Sequence, residues 1–220
     1  LQPRTAVGNP YGDGYYDDFN TAVGLDSAGR TQLHHKGKLV IGVENTPTVI
    51  FDLMQFLVID LGGVVGQIGM GQHGTAFAHA GMRMGPAICY EGLYGDFYGD
   101  FVRRGAQFMA IISNDGWWGD TPGYKHLFTI SRLRAIEHRR AIARSANTGM
   151  SGFISARGDI GETLGWEKRG VISAAVPLNS ELTFYTRYGD YLGRIAEYLT
   201  LLCVLYYIAY RVKRENYLVK

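Results

Sequence analysis

The feature that most constrains the fold is an alternation of buried strands and helices in the middle of the chain. A run ending at residues 87–89 has the composition of a buried strand, and residues 94–104 place aromatic side chains at helical spacing. Residues 108–113 and 124–140 repeat this pattern. The second helix carries an apolar stripe formed by Leu127, Ile130, Leu133 and Ile136. This β-α-β-α order predicts a layered α/β core.

Short extended segments flank this core on both sides. Residues 20–25 and 31–35 are predicted strands joined by turn residues, which indicates a hairpin. Further strands are predicted after the core, where they extend the sheet, at residues 141–145, 150–155 and 171–176.

Composition excludes several classes of protein. A chain of 220 residues fits one domain of ordinary size. Its formal net charge of +2 is too small to predict a nucleic-acid partner, which normally requires clustered Lys and Arg. Cys89 and Cys203 lie far apart, so a disulfide framework is not expected. The six histidines have no ligand spacing beside Cys or carboxylate pairs, so no metal site is predicted.

The carboxyl-terminal segment differs in kind from the rest. Residues 198–210 are uncharged and apolar, and from Tyr191 onward the run reaches the roughly 20 residues that a transmembrane helix requires. Arg211, Lys213 and Arg214 follow directly, which by the positive-inside rule places the carboxyl terminus in the cytoplasm. The alternative is an amphipathic terminal helix packed on the domain.

Cys89 is the candidate nucleophile, since it stands where a strand gives way to a helix. At such a position the sulfur is exposed at a sharp turn, and backbone N–H groups can receive an oxyanion. An ordinary thiol is mostly protonated at neutral pH and needs a nearby cation, for which Lys36 and Lys38 are candidates. The alternative is that Cys89 is a small buried hydrophobe.

Four motifs place Cys89 in a wider pattern. They are HKGKLVIGVENTP at 35–47, ICYE at 88–91, SNDGWWG at 113–119 and RSANTGMSG at 144–152, followed by TRYGD at 186–190. In order and spacing they resemble the motifs of the bacterial apolipoprotein N-acyltransferases, a family of the nitrilase (carbon-nitrogen hydrolase) superfamily.

The resemblance implies an α/β fold, a nitrilase-like α-β-β-α sandwich followed by a carboxyl-terminal transmembrane helix. It implies that Cys89 attacks an ester carbonyl of a phospholipid while Lys36 stabilises the thiolate and the oxyanion. Glu44 and Glu91 match further acidic positions of that site. Binding positions are matched by Asn20, Tyr90 and Trp117. The acyl group then passes to the amino-terminal amine of a diacylated apolipoprotein, and the resemblance implies that this reaction needs no metal and no other cofactor.

The resemblance also implies an organisation. Residues 1–190 are the expected catalytic domain, 191–210 the transmembrane helix and 211–220 a basic cytoplasmic tail. The expected location is the inner membrane of a bacterium, with the catalytic domain on the periplasmic side and the protein a monomer. The family's general-base glutamate lies on a strand upstream of the matched region. We therefore expect that this chain is part of a longer one.

Several alternatives stay open at this point. One is a nitrilase-type amidase or carbamoylase acting on small amides, and another is an inactive scaffold that lacks the general base. Glu44 and Glu91 could be structural ion-pair partners, and Trp117 could be ordinary core. The apolar stretch at residues 49–65 is either a lipid-contacting surface or core. The Arg157-Gly158-Asp159 tripeptide is predicted to be a hairpin turn without function.

Overall fold

The computed structural model describes residues 18–40, 44 and 68–218. The apolar stretch at residues 49–65 lies outside the described residues. Eight strands and four helices run in chain order within these described residues. The strands are β1 (Thr21–Leu25), β2 (Thr31–His35), β3 (Phe77–His79), β4 (Met82–Ile88), β5 (Phe108–Ser113), β6 (Ile142–Ala146), β7 (Ser151–Ile154) and β8 (Ile160–Leu164). The helices are α1 (Gly95–Arg103), α2 (Pro122–His138), α3 (Phe184–Tyr188) and α4 (Tyr191–Leu218), and short 3-10 helices span Cys89–Leu93 and Gly116–Trp118.

The main sheet is mixed and has the strand order β3-β4-β5-β6-β7-β8. The pairs β4-β5 and β5-β6 are parallel, as expected for strands joined by the crossover helices α1 and α2. The remaining pairs are antiparallel. The predicted β-α-β-α core is therefore confirmed.

The two faces of the sheet are covered by different layers because side chains alternate along each strand. Ala87 and Ile111 pair across β4 and β5 and pack in a core with the two helices. The helices supply Tyr98, Phe101, Val102, Phe128 and Ala135 to this core. Ile88 points to the opposite face, where it packs with Ala22 of β1. The β1-β2 hairpin is thus a second sheet against the main one, and its predicted strands are confirmed.

Helix α2 buries only part of the apolar stripe that the sequence predicted: Leu127 is buried and Ile130 is half-buried. Leu133 and Ile136 are exposed, whereas the buried face includes Ser131, Arg134 and His138. Polar residues occupy this face because each has a partner: His138 Nε2 donates to Gly95 O, and Arg134 Nη1 donates to Leu93 O. The stripe prediction was wrong at Leu133 and Ile136, because hydropathy alone does not indicate which polar side chains have buried hydrogen-bond partners.

The strand predicted at residues 171–176 is also absent; this segment has no sheet partner, and Val171 is 95% exposed. The last strand is instead β8, which pairs with β7 around the Arg157-Gly158-Asp159 turn. The predicted turn at this tripeptide is confirmed. β8 escaped prediction because its GETL sequence is mostly polar, and its exposed position at the sheet edge accounts for that composition.

Helix α4 extends from Tyr191 to Leu218, so Arg211 and Lys213 lie on the helix rather than in a separate tail. Within it, the segment Tyr191–Arg211 is long and apolar enough to cross a membrane, and none of it is buried against the rest of the protein. Its large side chains are more than half exposed at positions such as Leu202 and Tyr206. The alternative of a terminal helix packed on the domain is therefore wrong.

Candidate active site

Cys89 lies directly after β4 with a backbone φ of +47°. A side-chain-bearing residue rarely adopts this left-handed conformation, which costs on the order of 1 kcal/mol and persists only where the surroundings enforce it. Here the strand ends at Ile88 and the short 3-10 helix Cys89–Leu93 begins at the next residue, so Cys89 lies at an abrupt change of chain direction. The predicted placement of Cys89 at a sharp strand-to-helix turn is confirmed.

The buried side chain of Glu91 stabilises this turn by hydrogen bonds. Its side chain is fully buried, and Oε2 accepts a 2.6 Å hydrogen bond from the backbone N–H of Ile88. The other oxygen accepts from Gly37 N at 2.6 Å, and His34 Nε2 lies 3.0 Å from Oε2. Glu91 therefore does not face the cavity beside Cys89, and its contacts join the cysteine turn to the segment that carries Lys36.

Lys36 follows β2 and extends its side chain to a carboxylate. Its ammonium group donates to Glu44 Oε1 at 2.8 Å and to Oε2 at 2.7 Å, while only 2% of the lysine side chain is exposed. Asn20 Nδ2 donates to Glu44 Oε1 at 3.0 Å, and Val40 N donates to Glu44 Oε2. Asn20, Lys36 and Glu44 thus form one hydrogen-bonded cluster.

Two opposing effects act on the pKa of Glu44. Burial of the carboxyl raises its pKa, but the hydrogen bonds from Lys36 and the Val40 N–H lower it. The net pKa lies below the ordinary glutamate value, so the carboxylate is ionised at neutral pH and keeps a charged partner beside the Lys36 ammonium.

A cavity of about 460 Å³ brings these groups together. Six of the seven predicted site residues line it: Asn20, Lys36, Glu44, Cys89, Tyr90 and Trp117. Trp117 is 52% exposed, so it is a wall of this cavity and not ordinary core. Lys38, the other candidate cation, does not line this cavity. Its ammonium group lies 5.2 Å from the centre of the Tyr94 ring and 5.4 Å from the centre of the Phe97 ring.

The cavity also contains residues that sequence reasoning missed. Asn114 and Asn147 follow β5 and β6, and they line the cavity together with Val40, Ile88, Ile112, Ser113, Trp118 and Leu127. Asn114 and Asn147 were predicted only as members of the SNDGWWG and RSANTGMSG motifs, with no role of their own. A usable signal existed, because residues that follow adjacent parallel strands meet at the same edge of a sheet.

A buried ion pair supports this edge. Arg144 donates to both oxygens of Asp115 at 3.0 Å, and both side chains are at most 2% exposed. Arg144 Nη1 also donates to Met150 O, and Ser113 Oγ donates to Asp115 Oδ1 at 2.5 Å. The ends of β5 and β6 are thereby held together under the cavity.

Comparison with known proteins agrees with this geometry. The sequence pattern of the family described as carbon-nitrogen hydrolase matches residues 5–182. The chain belongs to the carbon-nitrogen hydrolase family.

Relatives of this chain include proteins that are named apolipoprotein N-acyltransferase. The one from Chlorobaculum tepidum is 36% identical over 80% of this chain and 34% of its own length. That from Verminephrobacter eiseniae is 34% identical over 79% of this chain and 33% of its own. That from Rhizobium meliloti is 42% identical over 44% of this chain and 18% of its own. The chain thus spans about a third or less of these relatives.

Solved structures of the nitrilase superfamily share the fold. A mutant of the Nesterenkonia AN1 amidase superposes with a TM-score of 0.53 at 16% identity, over 79% of this chain and 60% of the amidase. A Saccharomyces cerevisiae protein of branch 10 of the superfamily gives 0.50 at 18% identity, over 69% and 51%. The predicted nitrilase-type α/β fold is confirmed.

Proposed function

We propose that the protein to which this chain belongs is a phospholipid-dependent apolipoprotein N-acyltransferase. The observation that carries the proposal is Cys89, held in a left-handed turn on the same cavity as the Lys36–Glu44 pair. The names of the relatives support lipoprotein N-acylation over other reactions of the family. In this proposal the acyl donor is a phospholipid and the acceptor is a diacylated apolipoprotein.

The first half-reaction forms a thioester. The Cys89 thiol gives its proton to a base as the sulfur attacks the ester carbonyl, and the carbonyl oxygen becomes an oxyanion. Lys36 stabilises the thiolate and then this oxyanion by its charge. The intermediate collapses with loss of the alcohol oxygen, which takes back a proton and leaves as a lysophospholipid.

The second half-reaction forms an amide. The unprotonated amine of the amino-terminal diacylglyceryl-cysteine attacks the thioester carbonyl. The C–S bond breaks, the amine proton returns through the base to sulfur, and the Cys89 thiol is restored. In this proposal Glu44 keeps Lys36 charged and in place, and the general base is a glutamate upstream of the matched motifs. Tyr90, Trp117 and Asn20 bind or position the substrates.

The membrane context rests on helix α4. Its exposed apolar surface needs a lipid environment or a partner, and the substrates of the proposed reaction are themselves lipids. Phe184, Tyr188 and Tyr191 form an aromatic cluster at its start, with ring centres 4.6 Å and 5.1 Å apart for the two pairs that share Phe184. Such aromatic side chains are typical of the membrane interface. We propose an inner-membrane location with the catalytic domain on the periplasmic side.

The deciding experiment is mass spectrometry of the full-length gene product after incubation with phospholipid vesicles. We expect an acyl adduct on Cys89 that hydroxylamine removes. The adduct should be absent in Cys89→Ala and reduced in Lys36→Ala. Cys203→Ser is the matched control, because Cys203 is the other free cysteine and lies on helix α4. It should leave the adduct unchanged.

Two other outcomes would contradict the proposal. Turnover of small amides without a lipid-derived adduct would favour an amidase or carbamoylase. Absence of both activities in the full-length protein, with Cys89 no more reactive than a free thiol, would favour an inactive scaffold.

A further inference from the structure

Asn114 lies beside the nucleophile on the cavity face of the sheet. Ile88 and Ile112 are register partners in the parallel pair β4-β5, so Cys89 and Asn114 follow neighbouring strand ends. Ile112 and Asn114 are exposed to the cavity side while Ser113 between them is buried. Adjacent strands lie about 4.8 Å apart and each residue advances about 3.3 Å, which puts Asn114 within side-chain reach of a group bound to Cys89.

The orientation of the Asn114 amide is determined by its hydrogen bonds. Two N–H donors point to the same atom of this side chain, Gly116 N at 3.2 Å and Asn147 Nδ2 at 2.8 Å. Only the amide oxygen can accept both, so that atom is Oδ1. Asn147 is oriented in turn by Asp115 N, which donates to its Oδ1 at 3.2 Å. The two asparagine amides therefore have a single consistent arrangement.

This arrangement leaves the Asn114 NH₂ group as a free donor. Within the described ranges, 18–40, 44 and 68–218, no protein acceptor receives a hydrogen bond from Asn114 Nδ2. Asn147, by contrast, uses Nδ2 as a donor and Oδ1 as an acceptor within the network. Three asparagines line the cavity, and Nδ2 of Asn20 and of Asn147 already donates to a protein oxygen. Among the described residues, Asn114 is thus the cavity-lining asparagine whose NH₂ group makes no hydrogen bond to the protein.

The donor is also held in a stiff environment. Asp115, the next residue, is fixed by the buried pair with Arg144 and by Ser113 Oγ. Apolar side chains of Ile88, Ile112 and Trp117 line the same cavity, and a hydrogen bond among them is stronger than one in water. A preorganised donor of this kind costs no reorganisation when charge develops on an oxygen.

We infer that Asn114 Nδ2 donates a hydrogen bond to the carbonyl oxygen of the acyl group that Cys89 attacks. The inference rests on the proposed acyl transfer and adds a third polar group, beside Lys36 and the nucleophile, that contacts the reacting carbonyl. It places Asn114 among the catalytic residues. This hydrogen bond has a neutral acceptor in the ester and becomes stronger as the carbonyl oxygen becomes an oxyanion. It is kept in the thioester.

The test measures the rate of thioester formation in the full-length protein, with phospholipid and separately with a short nitrophenyl ester. Asn114→Asp keeps the oxygen that accepts from Gly116 and Asn147 but replaces the donor. Asn114→Ala removes the donor without adding charge. Asn147→Ala weakens the same loop while leaving Asn114 Oδ1 bonded to Gly116. Melting temperatures of all variants show how far each one disturbs the fold.

We expect both Asn114 variants to acylate about 10²-fold more slowly with either ester, the usual cost of one donor to an oxyanion. Asn147→Ala should lose much less. The loss should appear in kcat more than in KM, because the donor acts most on the developing charge.

Other outcomes overturn the inference or the function separately. Asn114→Ala at the wild-type rate, or a loss in Asn147→Ala as large as in Asn114→Ala, overturns the donor role. Acylation by the nitrophenyl ester but not by phospholipid overturns the proposed function, and the donor role is then decided on the nitrophenyl ester alone. Acylation by neither ester overturns both.

Discussion

The buried carboxylate of Glu91 accepts a 2.6 Å hydrogen bond from the backbone N–H of Gly37, residues far apart in the chain. Through this bond the segment that carries Lys36 is joined to the turn that carries Cys89. The position of Cys89 relative to Lys36 therefore depends on Glu91, whose side chain lies outside the cavity.

Replacing Glu91 tests this coupling. Glu91→Ala leaves the N–H groups of Gly37 and Ile88 and the ring N of His34 without their acceptor, all in a buried place. Each unsatisfied group costs about 1–3 kcal/mol. The three groups together cost about 3–9 kcal/mol, and each kcal/mol shifts the melting temperature of a chain of this size by about 2–4 °C. We expect a melting temperature lower by at least about 6 °C and loss of the Cys89 adduct, measured by thermal denaturation and mass spectrometry. Glu91→Gln, which keeps one acceptor oxygen, should be milder; equal stability of all three proteins would contradict the coupling.

The Lys36–Glu44 pair predicts that the stability of the folded protein depends on pH in the acid range. The pKa of Glu44 is lower in the folded protein than in the unfolded chain, so its contribution to stability is complete above the ordinary glutamate pKa of about 4.3. That contribution is lost as the pH falls through the lowered folded-state pKa. We expect the stability advantage of wild type over Glu44→Gln to be constant near neutrality and to shrink in acid. A difference that does not change with pH would refute the prediction.

His138 predicts a second pH effect, in a higher range. Burial lowers its pKa from the ordinary 6.5 to about 3, helped by the charge of Arg134. Between these two values the unfolded chain binds a proton that the folded protein does not, so stability falls as the pH drops below about 6.5. The slope for one proton is about 1.4 kcal/mol per pH unit. Melting curves of His138→Gln between pH 7 and pH 4 should have a shallower slope than wild type, and identical slopes would contradict this.

The Asp115–Arg144 pair predicts a strong asymmetry between single and double variants. Asp115→Asn or Arg144→Met leaves one buried charge without its partner, which costs about 3–5 kcal/mol. The double variant removes both charges, so we expect it to be more stable than the sum of the single losses predicts. Chemical denaturation of the four proteins measures this coupling. Strictly additive losses would mean that the pair does not act as a unit.

If α4 crosses a membrane as proposed, the aromatic cluster at its start should lie at the level of the lipid headgroups. A fluorescent label on Phe184→Cys, in a Cys89→Ala, Cys203→Ser background and reconstituted in vesicles, should be quenched by lipids that carry a quencher near the headgroup. Arg157→Cys is the control, because Arg157 is exposed on the β7-β8 turn of the main sheet. Quenching at residue 184 no stronger than at residue 157 would argue against the interfacial placement.

Local sequence patterns were sufficient for much of the fold. The alternation in β4, α1, β5 and α2 depends on side chains that alternate or repeat every third or fourth residue, and those periods are visible in the sequence. The position of Cys89 at a strand end followed from the same periods. The strand expected at residues 171–176 failed because an apolar run alone does not supply a neighbouring strand with free hydrogen-bonding groups.

The family, the order of the core elements, the placement of Cys89 at a strand end and the apolar carboxyl-terminal helix could all be predicted from the sequence. The three-dimensional contacts were needed to find that Lys36 and not Lys38 faces the cavity and that Glu91 is bonded to the turn of Cys89 outside it. They were also needed to find that the NH₂ group of Asn114 makes no hydrogen bond within the described residues. The reason is physical: residue types and spacing reveal which groups can hydrogen-bond. Which groups actually do so depends on long-range neighbours, such as Asn147 for Asn114, that meet only when the strands pair.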